Sequence, residues 1–209
     1  MNLRQWTTTS SKLKEKLVAE NTIATDKQKV PGLEWDSNAD TASFHLMKVV
    51  SETKSIHGQL TKRSVLSIAA KVFDPLVLLE PFTVRANMMS RELWKQKVSW
   101  DGQLPEELKP QWWAWFDELE IAPLVQITRS YFPSEWSGAN FYVFGDSSTN
   151  TYGAVAYRRA KQESGEQITI VMAKSKITPM KSQTTPRLEL LASLVAARLC
   201  HFISEKTEA

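Results

Sequence analysis

Cysteine occurs once in the 209 residues, at Cys200. One thiol excludes an internal disulfide and any cysteine-cluster metal site, and it fits a reducing, intracellular setting. Glycine is also scarce, with 7 residues, about half the usual ~7% share. No internal repeat or low-complexity tract is present. Apolar runs fall well short of the ~18 residues that a membrane-spanning helix needs. The N-terminal stretch MNLRQWTTTSSKLKEKL has no apolar core of signal-peptide type. The three histidines, His45, His57 and His201, lie far apart without metal-ligand spacing. Net charge is +3, too small to announce a nucleic-acid binder.

What is present is enough for a folded core: 42% of residues are apolar and eight are tryptophan. Charge and pattern divide the chain into three segments, 1–63, 64–137 and 138–209. In the first, a short polar helix is expected over residues 11–20. A hairpin follows, with Leu33 and Trp35 on one strand and Ala42, Phe44 and Leu46 on the other. Asp36-Ser37-Asn38-Ala39-Asp40 supplies the turn. Two strands alone are marginal, so this hairpin needs further structure to lean on. The second segment reads as helices at Ser64–Phe73, Phe82–Lys97 and near Pro110–Leu119. Asp74-Pro75 ends the first, and Pro110 confines the start of the third to about Lys109.

In the third segment the period changes to two. Strands are expected at Asn140–Gly145, Tyr152–Arg159 and Gln167–Ala173, joined by short polar links as an antiparallel meander. A helix then follows, with Thr185 as cap and Pro186 at its first position. Its apolar stripe is Leu188, Leu191, Ala192, Val195, Leu199 and Phe202. The expected fold class is therefore α+β: a small strand-containing piece, a helical connector and a β-β-β-α unit.

Two carboxylates carry the candidate chemistry. Asp146 ends the first strand of the meander, and Glu189 lies one turn into the helix, 43 residues later. A strand end and a helix on the same sheet can bring such groups to one point, where hard divalent cations find oxygen ligands. Lys174, Lys176, Lys181 and Arg187 surround Glu189 in sequence, a basic approach suited to phosphate. By spacing alone a turn aspartate and a dipole-complementing glutamate explain these positions better than a metal site does.

The local strings go further. Phe144-Gly145-Asp146-Ser147-Ser148, Tyr152-Gly153-Ala154-Val155-Ala156-Tyr157 and Thr184-Thr185-Pro186-Arg187-Leu188-Glu189-Leu190-Leu191-Ala192 resemble the first half of a ribonuclease H domain. With the stretch from Leu60 to Leu76, Asn2-Leu3-Arg4-Gln5-Trp6, Gly32-Leu33-Glu34-Trp35-Asp36 and Met172-Ala173-Lys174-Ser175-Lys176, the chain resembles the pol region of BEL/Pao-type retrotransposons. The resemblance covers nearly all of residues 2–203. It implies the C-terminal edge of a reverse transcriptase palm over 1–57, thumb or connection helices over 58–137, and the N-terminal half of RNase H over 138–209. Asp146 and Glu189 then match the catalytic, metal-ligating carboxylates that hold Mg²⁺ or Mn²⁺ against an RNA strand paired with DNA. Such domains read hybrid shape and the 2′-OH rather than sequence.

The family also uses a third carboxylate on a later strand, usually a fourth, and an aspartate pair in the palm. The chain reaches Ala209 before such a strand, and it contains no Asp-Asp pair. The resemblance therefore implies a polyprotein fragment that is inactive alone. Val77 and Glu80 stand where the family has glycine and alanine. Val77 loses backbone freedom at a turn, and Glu80 puts a charge where an apolar contact is expected.

Two other readings stay open. The region is also described as a retrotransposon peptidase, and Val143-Phe144-Gly145-Asp146-Ser147-Ser148 comes near the Asp-Ser/Thr-Gly of aspartic proteases, with Ser148 in the glycine position. A non-catalytic module binding nucleic acid or other proteins of the element is the other. Trp112 is expected in the core, and the outward Trp113 is the better contact. Ser147 and Ser148 read as turn residues, and Cys200 as a buried inert thiol.

Overall fold

The computed structural model describes residues 8–19, 27–30, 32–56, 60–74, 77–129, 137–162 and 165–207. The expected hairpin is present: β2 (Leu33–Asp36) and β3 (Thr41–Phe44) are antiparallel, with Leu33 opposite Phe44 and Trp35 opposite Ala42. The Asp36 carboxylate accepts the Asn38 and Ala39 N–H groups at 2.9 and 3.1 Å, which closes the turn. The support that two strands require comes from β1 (Lys27–Val30) and β4 (Gln126–Thr128), giving the order β1-β2-β3-β4. Neither was expected. Strands of four and three residues are too short to show alternation, and β4 lies in the stretch read as helical.

Helix α1 (Ser11–Ala19) lies where expected, with Glu20 outside the described residues. Leu46 does not extend the hairpin. It is buried just before α2 (Met47–Lys54), an eight-residue helix that the sequence pattern did not reveal. Helix α3 (Lys62–Lys71) starts two residues before its expected place because Thr61 caps it. Thr61 Oγ1 accepts the Ser64 N–H, and Ser64 Oγ accepts the Thr61 N–H, at 3.2 and 2.9 Å. It also ends earlier. Asp74 instead closes the next turn, its Oδ2 accepting the Leu79 N–H at 2.5 Å.

Helix α4 spans Glu80–Lys95 rather than 82–97, with Pro81 in its first turn. Ala86, Met89 and Leu93 form its buried face, whereas Trp94 is half-exposed. Helix α5 (Lys109–Ile121) starts at the expected residue and buries Trp112, Trp115, Phe116 and Leu119. Trp115 stacks on Phe82 at 4.7 Å and donates to the Phe82 carbonyl at 3.1 Å. These faces, with Phe44 and Leu46, make one core shared by the first sheet and the helices. Lys62 is buried within it, its ammonium 3.4 Å from the Trp94 ring centre and donating to the Val98 carbonyl.

The meander forms as expected and is longer than its apolar cores: β5 (Ser137–Ser147), β6 (Thr151–Gln162) and β7 (Gly165–Ile177), in the order β5-β6-β7. Helix α6 (Thr185–Thr207) packs Val195, Leu199 and Ile203 against Ala154 and Ala156 on one sheet face. The Thr184 carbonyl accepts the Leu188 N–H at 3.1 Å, so Thr184 takes the cap position and the helix begins at Thr185, one residue before the expected first position at Pro186. The stripe ends on Ile203, and Phe202 is 46% exposed. Positions 188, 192, 195, 199 and 203 keep one helical face, and 202 falls off it.

The α+β class is as expected, with six helices and two antiparallel sheets among the described residues. Helix α4 joins the two parts. Its Arg91 donates to Thr178 just beyond β7, and its Glu80 carboxylate meets the Ser175 hydroxyl on β7. Glu80 therefore finds polar partners rather than the apolar contact expected there. No described helix is long and apolar enough to cross a membrane.

Candidate active site

Asp146 is the penultimate residue of β5 and is exposed. Its Oδ1 accepts the N–H of Ser147 at 2.8 Å. The chain then turns through Ser148. The Ser148 N–H reaches the Thr151 carbonyl at 2.7 Å, and its Oγ accepts the N–H groups of Asn150 and Thr151 at 3.2 and 3.1 Å. Ser148 is thus a turn-former, whereas Ser147 completes the strand.

Strand alternation sets the direction of Asp146. Its neighbour Gly145 faces α6 so closely that a Cβ there would stand 3.0 Å from the Ala192 carbonyl oxygen and 3.1 Å from the Ala196 Cβ. Asp146 therefore opens onto the other face, with Tyr142 and Phe144, opposite Gly153. Glu189, exposed, precedes Ala192 by three residues on α6. The end of β5 and the first turns of α6 are thus direct neighbours, with Asp146 opening onto the sheet face away from α6 and Glu189 exposed on the helix. Gly145 had no signal of this role beyond its place in the string. Among the described residues, no group of three or more His, Cys, Asp or Glu side chains is placed to hold a metal ion.

The four basic residues divide into two pairs. Lys174 and Lys176 lie opposite Ala154 and Tyr152, on the sheet face that α6 covers. With Arg198 they rim a groove of about 280 Å³ floored by Met172, Leu199 and Phe202. Arg198 was not among the expected residues, since a lone cation on a helix carries no sequence signal. Lys181 and Arg187 are exposed between β7 and the start of α6. None of these five cations forms an ion pair among the described residues. In the helical part, by contrast, Lys54, Arg63, Lys71, Arg85, Lys95 and Lys109 all face carboxylates.

The remaining candidates are placed less functionally. Trp112 is buried as expected, and Trp113 is 37% exposed with its ring edge-on to Phe116. Cys200 is exposed, against the expected buried thiol, because it sits a quarter-turn from Leu199. His45 lies beside Glu34 and His201 beside Glu205, so neither joins the site. His57 is outside the described residues.

The family model of the Pao retrotransposon-like RNaseH-like domain matches residues 61–209, from the Thr61 cap of α3 onward. No curated protein matches the chain.

Proposed function

This chain belongs to the Pao retrotransposon-like RNaseH-like domain family, and from that premise we propose that it engages RNA/DNA hybrid within a retrotransposon reverse transcriptase/RNase H polyprotein. The close approach of Gly145 to Ala192 carries the proposal, because it sets the strand end bearing Asp146 against the helix bearing Glu189. Two exposed carboxylates suit Mg²⁺ or Mn²⁺. Mg²⁺ is commonly held through one or two carboxylates, with waters and substrate phosphates completing its shell. Bound metal supplies an activated water and stabilises charge on the leaving oxygen of an in-line displacement.

The protein's own groups hold and orient. Asp146 and Glu189 provide the ligand oxygens. Lys181 and Arg187 neutralise phosphates at the approach to α6, and Lys174 and Lys176 do so along β7. Residues 1–57 act as the edge of the palm and 58–137 as its thumb or connection, which keep the hybrid in register with the sheet. Asp146 and Glu189 are two ligands of the larger carboxylate set that the family resemblance implies, so binding without cleavage is expected of this pair.

The test is a labelled RNA/DNA hybrid with the purified chain and Mg²⁺ or Mn²⁺. Binding is expected, weakened by Lys174→Gln and Lys176→Gln, with no more cleavage than in Asp146→Asn. Cleavage that vanishes in Asp146→Asn overturns the inactivity, and equal affinity for duplex DNA overturns the choice of hybrid.

A further inference from the structure

Arg91 is the one cation of α4 that meets no carboxylate among the described residues. Arg85 pairs with Glu118, and Lys95 pairs with Glu92. Arg91 instead reaches across 87 positions of sequence to the segment that leaves β7. Its Nη1 donates to Thr178 Oγ1 at 2.7 Å and to the Thr178 carbonyl at 3.1 Å. Thr178 is 5% exposed, a buried polar residue whose hydrogen bonds are all directed. Its one hydroxyl proton is shared between the carbonyls of Thr149 and Asn150, at 2.9 and 3.1 Å. Its N–H donates to the Asn150 carbonyl at 2.9 Å. Thr149 and Asn150 belong to the turn that follows Asp146.

From this chain of bonds we infer that Arg91 is a positioning residue for the Asp146 carboxylate, acting through Thr178. The inference rests on the reading of Asp146 as a metal ligand. The turn is closed from within by Ser148, but nothing in that internal closure fixes its angle to the rest of the protein. Thr178 supplies that fixed point, and Arg91 polarises and orients the Thr178 hydroxyl from a helix anchored in the other core. The guanidinium presents its donors in a rigid fork, which suits a hydroxyl and a carbonyl on one residue. Glu80, three turns earlier on α4, meets Ser175 on β7, so the helix is pinned at two places along the sheet. The sheet sets the face onto which Asp146 opens, and the preceding helical segment holds the turn that follows it.

The test uses the full chain with Mn²⁺ and a bound hybrid. Amide exchange at Ser148 and Thr178 reports the turn, and Mn²⁺ affinity reports the carboxylate. In Arg91→Met both amides exchange faster, and Mn²⁺ affinity falls about 10- to 100-fold, as for other groups that orient metal ligands. The thermal midpoint stays close to that of the native chain. Thr178→Val, which keeps the shape and removes the hydroxyl, gives the same pattern and serves if Arg91→Met misfolds. Arg85→Met, on the same helix, changes neither readout. Unchanged exchange in a folded Arg91→Met overturns the inference, and so does faster exchange with unchanged Mn²⁺ affinity. If Asp146→Asn leaves Mn²⁺ affinity intact, the metal-site reading fails, and the exchange data alone decide whether Arg91 fixes the turn.

Discussion

At Val77 the backbone adopts φ 58°, a left-handed conformation that suits glycine and strains a β-branched side chain. The strain follows from the Asp74 turn, whose carbonyl accepts the Val77 N–H at 3.2 Å. Val77→Gly is expected to stabilise the chain by about 1 kcal/mol, the relieved strain exceeding the added chain entropy of glycine. Urea unfolding would show a higher midpoint with an unchanged slope. Asp40 takes φ 49° too, but aspartate tolerates it. Its carboxylate accepts from Arg129 at 2.6 Å and from Trp35 Nε1 at 3.0 Å, and the Arg129 hydrogen bond holds its pKa below the usual value. A carboxylate with a lowered folded pKa stabilises above its unfolded value, near 3.9, and loses that contribution as pH falls through the folded value. Thermal midpoints measured from pH 5 downward should fall more steeply for the native chain than for Asp40→Asn, which keeps the turn but cannot titrate.

Between elements, β5 packs closely on α6. An alanine methyl at position 145 would meet the Ala192 carbonyl oxygen and the Ala196 Cβ, neither of which can rotate away. Gly145→Ala should cost about 1–3 kcal/mol by overpacking and lift the strand end from the helix, which urea unfolding and Mn²⁺ binding would register together. This joint also marks how far the sequence could be read. The meander and α6 were legible because their apolar periods are long and their links are short and polar. Helix α5 was legible from Leu108, Trp112, Phe116 and Leu119 with Pro110 as its marker. By contrast, β1, β4 and α2 are defined by their partners rather than by their own patterns, so nothing in three, four or eight residues announced them. Asp146 and Glu189 stood out through strings, not spacing. The bond from Arg91 to Thr178 joins residues in different segments, where no local signal exists.

Over the whole molecule, charge is organised by pairing rather than by total. Net charge is only +3, and the helical part cancels much of its charge in exposed pairs worth about 0–1 kcal/mol each. Among the described residues the cations of β7 and the α6 approach meet no carboxylate, so the field a polyanion meets is concentrated on the α6 side of the sheet and at the start of that helix, whereas Asp146 opens onto the other face. If Lys174, Lys176, Lys181 and Arg187 each neutralise one phosphate, four counterions are displaced. The logarithm of hybrid affinity should then fall against the logarithm of salt concentration with a slope of about −3 to −4. Replacing Lys174 and Lys176 together with glutamine should reduce the slope's magnitude by about 2, while replacing Lys54 and Arg85 leaves it unchanged. A titration of labelled hybrid between 50 and 300 mM salt measures this. A slope near zero would show that these cations do not touch phosphate. A slope that drops equally on removing Lys54 and Arg85 would show that the helical part breaks its own ion pairs to bind, and that the polyanion runs across both cores.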